Sequence, residues 1–134
     1  MNQYVIFNLG STPCAISFSE VEEIMAAKKG TPLPFAEPWH EGVITVRGEL
    51  YTVMNLTKRF NLSSQSAEPD KMVLLRREKI ALLVDELRDT ASVEDNDILD
   101  NDDSRLKEFF PHVFVHGPQS VCILETESLL ESGN

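Results

Sequence analysis

The sequence predicts a mainly-β fold: two small β-barrels packed on a shared apolar core, with short helices. Three observations predict it. Apolar residues recur at every second position in short runs, as at Val5, Phe7 and Leu9. The runs come in pairs across turn-forming residues such as Gly10-Ser11-Thr12-Pro13 and Gly117-Pro118-Gln119. The pattern is also used twice. Laid on the earlier chain at a constant offset of 70, Val113 falls on Val43, Phe114 on Ile44, Ile123 on Val53, Leu124 on Met54, Glu125 on Asn55 and Leu130 on Phe60.

Taken in order, Gln3 to Leu9 reads as a strand, and Cys14 to Phe18 returns across the turn. Ser19 with Glu22 three residues on then forms a capping box, and Val21, Ile24 and Met25 repeat at helical spacing. Lys28 and Lys29 suit a helix C-terminus and Gly30 can end it, so a short amphipathic helix is expected here. Thr31 to Pro38 contains three prolines and is extended. A second hairpin pairs Val43–Val46 with Leu50–Met54 around Arg47-Gly48-Glu49, and Asn55 caps a short helix from Leu56 to Phe60.

Residues 63–69 form a polar link. Beyond it Lys71–Leu75 and Ile80–Val84 make another hairpin, and Val84-Asp85-Glu86-Leu87 takes the place of Phe18-Ser19-Glu20-Val21. Val113–His116 then pairs with Val121–Leu124, and Glu125-Thr126 leads into a C-terminal helix. The chain therefore reads as a single domain, 1–134, with halves at approximately 1–62 and 70–134. Each half alone, at about 60 residues, is marginal in the surface it can bury.

Composition narrows the function. With 12 basic and 22 acidic side chains the net charge is -10, which disfavours phosphate backbones and anionic lipid surfaces. The longest uninterrupted apolar run is Ile80 to Val84, against the roughly 20 residues of a membrane span. No secretory signal is visible at the N-terminus, and the two cysteines, Cys14 and Cys122, lie in apolar strand-like segments without a CxxC partner. A reducing, cytoplasmic setting with cysteines used as small apolar residues is expected. His112 and His116, four residues apart on a strand, stand roughly 13 Å apart and cannot chelate one ion. The acidic stretch Glu94 to Asp103 fails as a calcium loop: Arg105 stands at the glycine position and Pro111 at the bidentate position when the loop starts at Asp100. It reads as a solvated loop. No GxSxG, Walker, GxGxxG or HExxH pattern occurs. No cofactor, metal or enzymatic activity is expected.

Four stretches carry a resemblance to the bacterial chemotaxis coupling proteins, the CheW family. They are Tyr4-Val5-Ile6-Phe7-Asn8-Leu9-Gly10; Phe18-Ser19-Glu20-Val21-Glu22-Glu23-Ile24; Gly42-Val43-Ile44-Thr45-Val46-Arg47-Gly48 through Val53-Met54-Asn55-Leu56; and Leu82-Leu83-Val84-Asp85-Glu86-Leu87. The third is the most specific, similar to G-V-x-N-L-R-G-x-x-x-P-V-x-D-L. The chain departs from it with Thr45-Val46, Thr52 and Asn55. Near the C-terminus, His112 and Glu125 replace a glycine and an aspartate. Pro38-Trp39 with Val46-Arg47-Gly48 and Met54 resembles the branch that serves twitching pili.

The resemblance implies two intertwined five-stranded, SH3-like barrels and a non-enzymatic adaptor. Its partners would be a histidine autokinase and the cytoplasmic tips of chemoreceptors. It points to Arg47 at a hairpin tip, to Val21, Glu23 and Ile24 on the expected helix, to Val43, and to Val84 and Asp85 at the matching corner of the second half. A small β-barrel module binding a peptide or small ligand in an unrelated pathway is the competing reading.

Overall fold

The computed structural model describes residues 1–34, 36–62, 69–103 and 105–132. Of the expected polar link over 63–69, residues 63–68 lie outside the described residues. The elements are β1 (Asn2–Leu9), β2 (Thr12–Ser17), β3 (Val21–Ala26), β4 (His40–Val46), β5 (Glu49–Asn55), α1 (Leu56–Arg59), β6 (Lys71–Leu75), β7 (Ile80–Val84), β8 (Glu86–Val93), β9 (Leu99–Asp100), β10 (His112–His116), β11 (Gln119–Ile123) and α2 (Thr126–Ser132), with 3-10 turns at Phe18–Glu20 and Asp95–Asp97. The mainly-β expectation holds, as two sheets.

One sheet runs β8-β1-β2-β11-β10-β9 and the other β3-β6-β7-β5-β4. Each draws strands from both sides of residues 63–68. The chain crosses between sheets after β2 and again after β7, so β3 and β8 each join the sheet that the preceding hairpin does not belong to. The repeat seen at an offset of 70 is thereby a three-dimensional repeat. A row across the second sheet reads Gly42–Val53–Ala81–Leu74–Glu23, and the matching row across the first reads His112–Ile123–Ala15–Ile6–Asp89. In both, the inner pair is parallel, β5 with β7 and β11 with β2.

Side-chain alternation sorts the apolar residues into three cores. Val5, Phe7 and Leu9 of β1 face Val73, Leu75, Leu82 and Val84 of the other sheet in the main core, with Phe109, Phe110, Leu124 and Leu129. Tyr4 and Ile6 turn the opposite way to meet Phe114 and Val121, while Met72 and Leu74 meet Ile44, Val46 and Val53. Strands β1, β2, β6 and β7 are thus buried on both faces, which is why their sequences are nearly continuous apolar runs. Arg59 links the halves, its guanidinium 4.8 Å from the Trp39 ring centroid and 4.7 Å from that of Phe109.

One expected element is overturned. Residues 19–29 do not form a helix: Phe18–Glu20 is a 3-10 turn and Val21–Ala26 is strand β3, paired antiparallel with β6. The capping residue is Ser17, whose side chain accepts from the Ser19 N–H. The helical spacing of Val21 and Ile24 has another cause. A bulge between Val21 and Glu23 inserts one residue, so positions three apart fall on one face of the strand. Both side chains pack against the main core, while Met25 joins the core of the second sheet.

Strand β8 was not expected from the sequence. It is an edge strand of mostly exposed polar residues and lacks the apolar alternation that identifies a strand. The acidic stretch is largely exposed, as expected, but is anchored by buried Asn101, whose amide donates to the Phe110 carbonyl at 2.7 Å and whose Oδ1 accepts from the Asp103 N–H at 3.0 Å.

Asn55 does cap α1, its Oδ1 accepting from the Lys58 N–H at 3.2 Å while its amide donates to Glu41 at 3.1 Å. Asn55→Ala is expected to lower stability by about 1–2 kcal/mol, the upper part of the range for an N-cap. A urea titration with an unchanged m-value reads this directly.

Candidate functional site

The site builds outward from the β4–β5 turn. Val46 pairs with Glu49, leaving Arg47-Gly48 as a two-residue loop with φ of 49° and 83°. Positive φ at both positions is the turn whose twist matches a hairpin, and glycine or asparagine normally fills it. An arginine there carries a backbone cost of roughly 1–2 kcal/mol. The hairpin register places Arg47 at the tip despite that cost, with its side chain 67% exposed.

Arg47 is not loose. Its Nη2 donates to Glu23 Oε1 on β3, a strand at the opposite margin of the same sheet. The hydrogen bond and charge of Arg47 hold the Glu23 carboxyl below its ordinary range, and Glu23 in turn raises the guanidinium. The sign follows from the lowered carboxyl. The pairing contributes above the ordinary glutamate value of about 4.3. It is lost as the pH falls through the lowered value. Across neutral pH the pair stays charged.

The other expected site residues fall into separate environments. Val21 and Ile24 sit half-buried at the rim of the main core, facing away from Glu23 across β3. Around Val21 lies a charged frame: Arg76 donates to its carbonyl at 2.8 Å and approaches Glu22 at 3.7 Å, and Arg77 meets Glu20 at 3.3 Å. Thr126, at the start of α2, donates to Glu20 at 2.5 Å. Val43 is partly buried on β4 and exchanges both backbone hydrogen bonds with Thr31, at 2.8 and 2.9 Å. Val84 is fully buried in the main core. Asp85 is also buried, accepting from the Gly10 N–H at 2.5 Å, while its own N–H donates to the Asn8 carbonyl at 3.1 Å. The structure therefore brings Arg47 and Glu23 together, places Val21 and Ile24 on a neighbouring rim, and puts Val84 and Asp85 inside.

Two exposed apolar residues were missed. Leu50 follows the Arg47 turn and is 63% exposed, and Phe18 stands out at the corner before Val21. Leu50 shares a strand face with Met54, which is buried in the main core; the face leaves the core before it reaches Leu50. Sequence alternation alone does not show where a buried face ends. Glu49 and Lys79 form an ion pair beside it, with the lysine 5.4 Å from the Tyr51 ring centroid.

Among the described residues no group of three or more His, Cys, Asp or Glu side chains could hold a metal ion. Cys14 and Cys122 face each other across the parallel β2–β11 pair as free thiols, and burial pushes both thiols up, Cys14 well above its ordinary value. Protonated buried thiols are poor nucleophiles. Among the described residues no helix is long and apolar enough to cross a membrane.

The β4–β5 turn thus presents an arginine bonded to Glu23 beside the exposed Leu50. The sequence profile of the CheW-like domain matches residues 3–134. The chain belongs to the CheW-like domain family. A CheW chemotaxis protein of Rhizobium meliloti (strain 1021) is 24% identical over 138 residues, taking in 97% of this chain and 88% of its own. One from Bacillus subtilis (strain 168) is 30% identical over 97 residues, 70% of this chain and 62% of its own. The crystal structure of the scaffolding protein TtCheW from Thermoanaerobacter tengcongensis superposes with a TM-score of 0.85 at 19% identity, covering 92% of this chain and 88% of that one. The CheW-like fold is therefore the one adopted here. Membership also disfavours the unrelated peptide- or ligand-binding module.

Proposed function

We propose that the chain is a non-enzymatic coupling adaptor of a bacterial chemosensory pathway. It would act in the cytoplasm, joining the regulatory domain of a histidine autokinase to the cytoplasmic tips of chemoreceptors. The observation that carries this reading is the family match over residues 3–134, supported by the chemotaxis and scaffolding names of the relatives. Arg47, Val21, Glu23, Ile24 and Val43 are proposed to meet partners directly, with Val84 and Asp85 shaping that surface from beneath. An arginine can fork to a partner carboxylate or carbonyl, and holding it on Glu23 reduces the entropy lost when it does. Each contact is of modest affinity, and a repeated array adds avidity.

Arg47→Glu is expected to leave the melting temperature within a few degrees and to weaken binding to the kinase domain or the receptor tip about 10- to 100-fold, the range for losing a charge-assisted contact and adding a repulsion. Calorimetric titration against both partners measures it. Unchanged affinity for both would overturn the assignment of Arg47. Co-purification from the native cell that recovers neither a histidine kinase nor a receptor would overturn the adaptor reading itself.

A further inference from the structure

The ladder repeat extends to the margins of the sheets. Glu23 pairs with Leu74 just past the bulge in β3, and Asp89 pairs with Ile6 just past the bulge in β8. Val21 and Leu87 occupy the matching positions on the other side of each bulge. Asp89 is thus the structural counterpart of Glu23. It too has a cation. His116 Nε2, at the end of β10 where the β10–β11 turn begins, lies 3.4 Å from Asp89 Oδ2. Like Arg47 and Glu23, these residues belong to strands that are not ladder neighbours: β8 is at one margin of its sheet, and β10 lies three strands beyond its partner β1. Each pair bridges the open side of a sheet.

The difference lies in the cation. A guanidinium is charged at all ordinary pH values, whereas imidazole gains and loses its charge near neutrality. We propose that Asp89 and His116 form the second sheet's clasp, and that protonation of the imidazole closes it while Arg47–Glu23 stays closed throughout.

Other charged or titratable groups surround β10. Beta-strand β8 carries Glu86 and Arg88 beside Asp89, and β9 carries Asp100, which lies 3.8 Å from His112. The 3-10 turn before β9 carries Asp95 and Asp97, β1 presents the Tyr4 hydroxyl, and β11 the Cys122 thiol. Of these only Asp89 is within ion-pair distance of His116 among the described residues. The imidazole is the member of the pair that sets its state. Protonated, it is held to β8; as the proton leaves with rising pH, the charge pairing goes and the β10–β11 hairpin is released at that margin.

The test needs no partner protein, so it stands or falls apart from the adaptor reading. Amide hydrogen exchange on the full chain, corrected for intrinsic rates, is compared at about pH 5.5 and about pH 8, either side of free histidine. Protection of the β10 and β11 amides is expected to fall about 1.5- to 5-fold at the higher pH, the scale of a partly exposed ion pair. The β4 and β5 amides serve as the internal control and keep their protection. Asp89→Asn is expected to abolish the difference, His116→Arg to keep protection high at both pH values, and Asp100→Asn to behave as wild type. Constant protection in the wild type overturns the proposal. So does a pH effect that survives in Asp89→Asn, or one that vanishes in Asp100→Asn, which would assign it to His112.

Discussion

Val53→Asp unfolds the protein. Val53 is 0% exposed, enclosed by Ile44, Val46, Met72, Leu74 and Ala81, and flanked on the ladder by Gly42 and Ala81. The side chains that enclose it are hydrophobic. Kept charged, the group would forfeit several kcal/mol of hydration. Neutralised instead, it must take up a proton at a pH about 3 units above its unfolded value, about 4 kcal/mol at neutrality, and bury an unpaired carboxyl for about 1–3 kcal/mol more. The lost valine burial adds about 1.5 kcal/mol or more. A domain of this size is stable by about 5–15 kcal/mol, so the sum covers the lower half of that range. Far-UV circular dichroism and the fluorescence of Trp39, the single tryptophan, give the test. Trp39 packs on the main core rather than on Val53, so loss of both signals shows that the whole chain has come apart. Val53→Ala should stay folded with a lower melting temperature. A cooperative melt of Val53→Asp at the wild-type temperature would show that Val53 lies outside the core.

Gly42→Ala is expected to be nearly as damaging, for a backbone reason. Gly42 has φ of +105°, and a Cβ there would stand 2.3 Å from the Thr31 carbonyl oxygen and 2.6 Å from its carbon. Both are main-chain atoms, so no side chain can rotate away. Gly30 faces the same strand from the other side, where an added Cβ would meet the Glu41 oxygen at 2.5 Å. The two glycines let the proline-rich segment lie against β4, where Thr31 and Val43 exchange hydrogen bonds. Breaking that contact forfeits two hydrogen bonds and adds a strained φ, about 2–5 kcal/mol together. For a chain of this length that lowers the melting temperature by about 10 °C or more. A melt within two or three degrees of wild type would show that the segment simply moves aside.

The hairpins were legible because two signals agree at each of them: apolar residues at every second position and turn residues between. Gly48 and Gly117 mark tight turns whatever the tertiary structure. The site was half legible. Arg47 stood out at a hairpin tip, but nothing local indicates that it bonds Glu23, because that contact depends on the chain crossing between sheets after β2. The bulge in β3 gave Val21 and Ile24 the spacing of a helix, and Ser19 with Glu22 supplied a plausible cap. Local rules therefore agreed on the wrong element. Pairing with β6 overrode them. The same misreading hid β8, since Val84 to Leu87 was matched to a corner taken to open a helix. Val84 and Asp85 were placed at that corner correctly in sequence, yet they lie beneath the surface, where burial is a property of the packed sheets.

The two crossings have a consequence for how the chain holds together. Neither half of the sequence contains all the strands of either sheet, so β3 is completed only by β6, and β8 only by β1. A fragment ending before residue 63 would leave β3 without its partner, and one beginning at residue 69 would leave β8 without its own. The two sheets also share the main core, so melting one exposes the inner face of the other, which makes unfolding one event rather than two. A half-length chain with a single such set of strands would reproduce both sheets by trading its first two strands, as a hairpin, with a second copy. This molecule has the topology of that strand-swapped dimer, with both copies carried on one covalent chain.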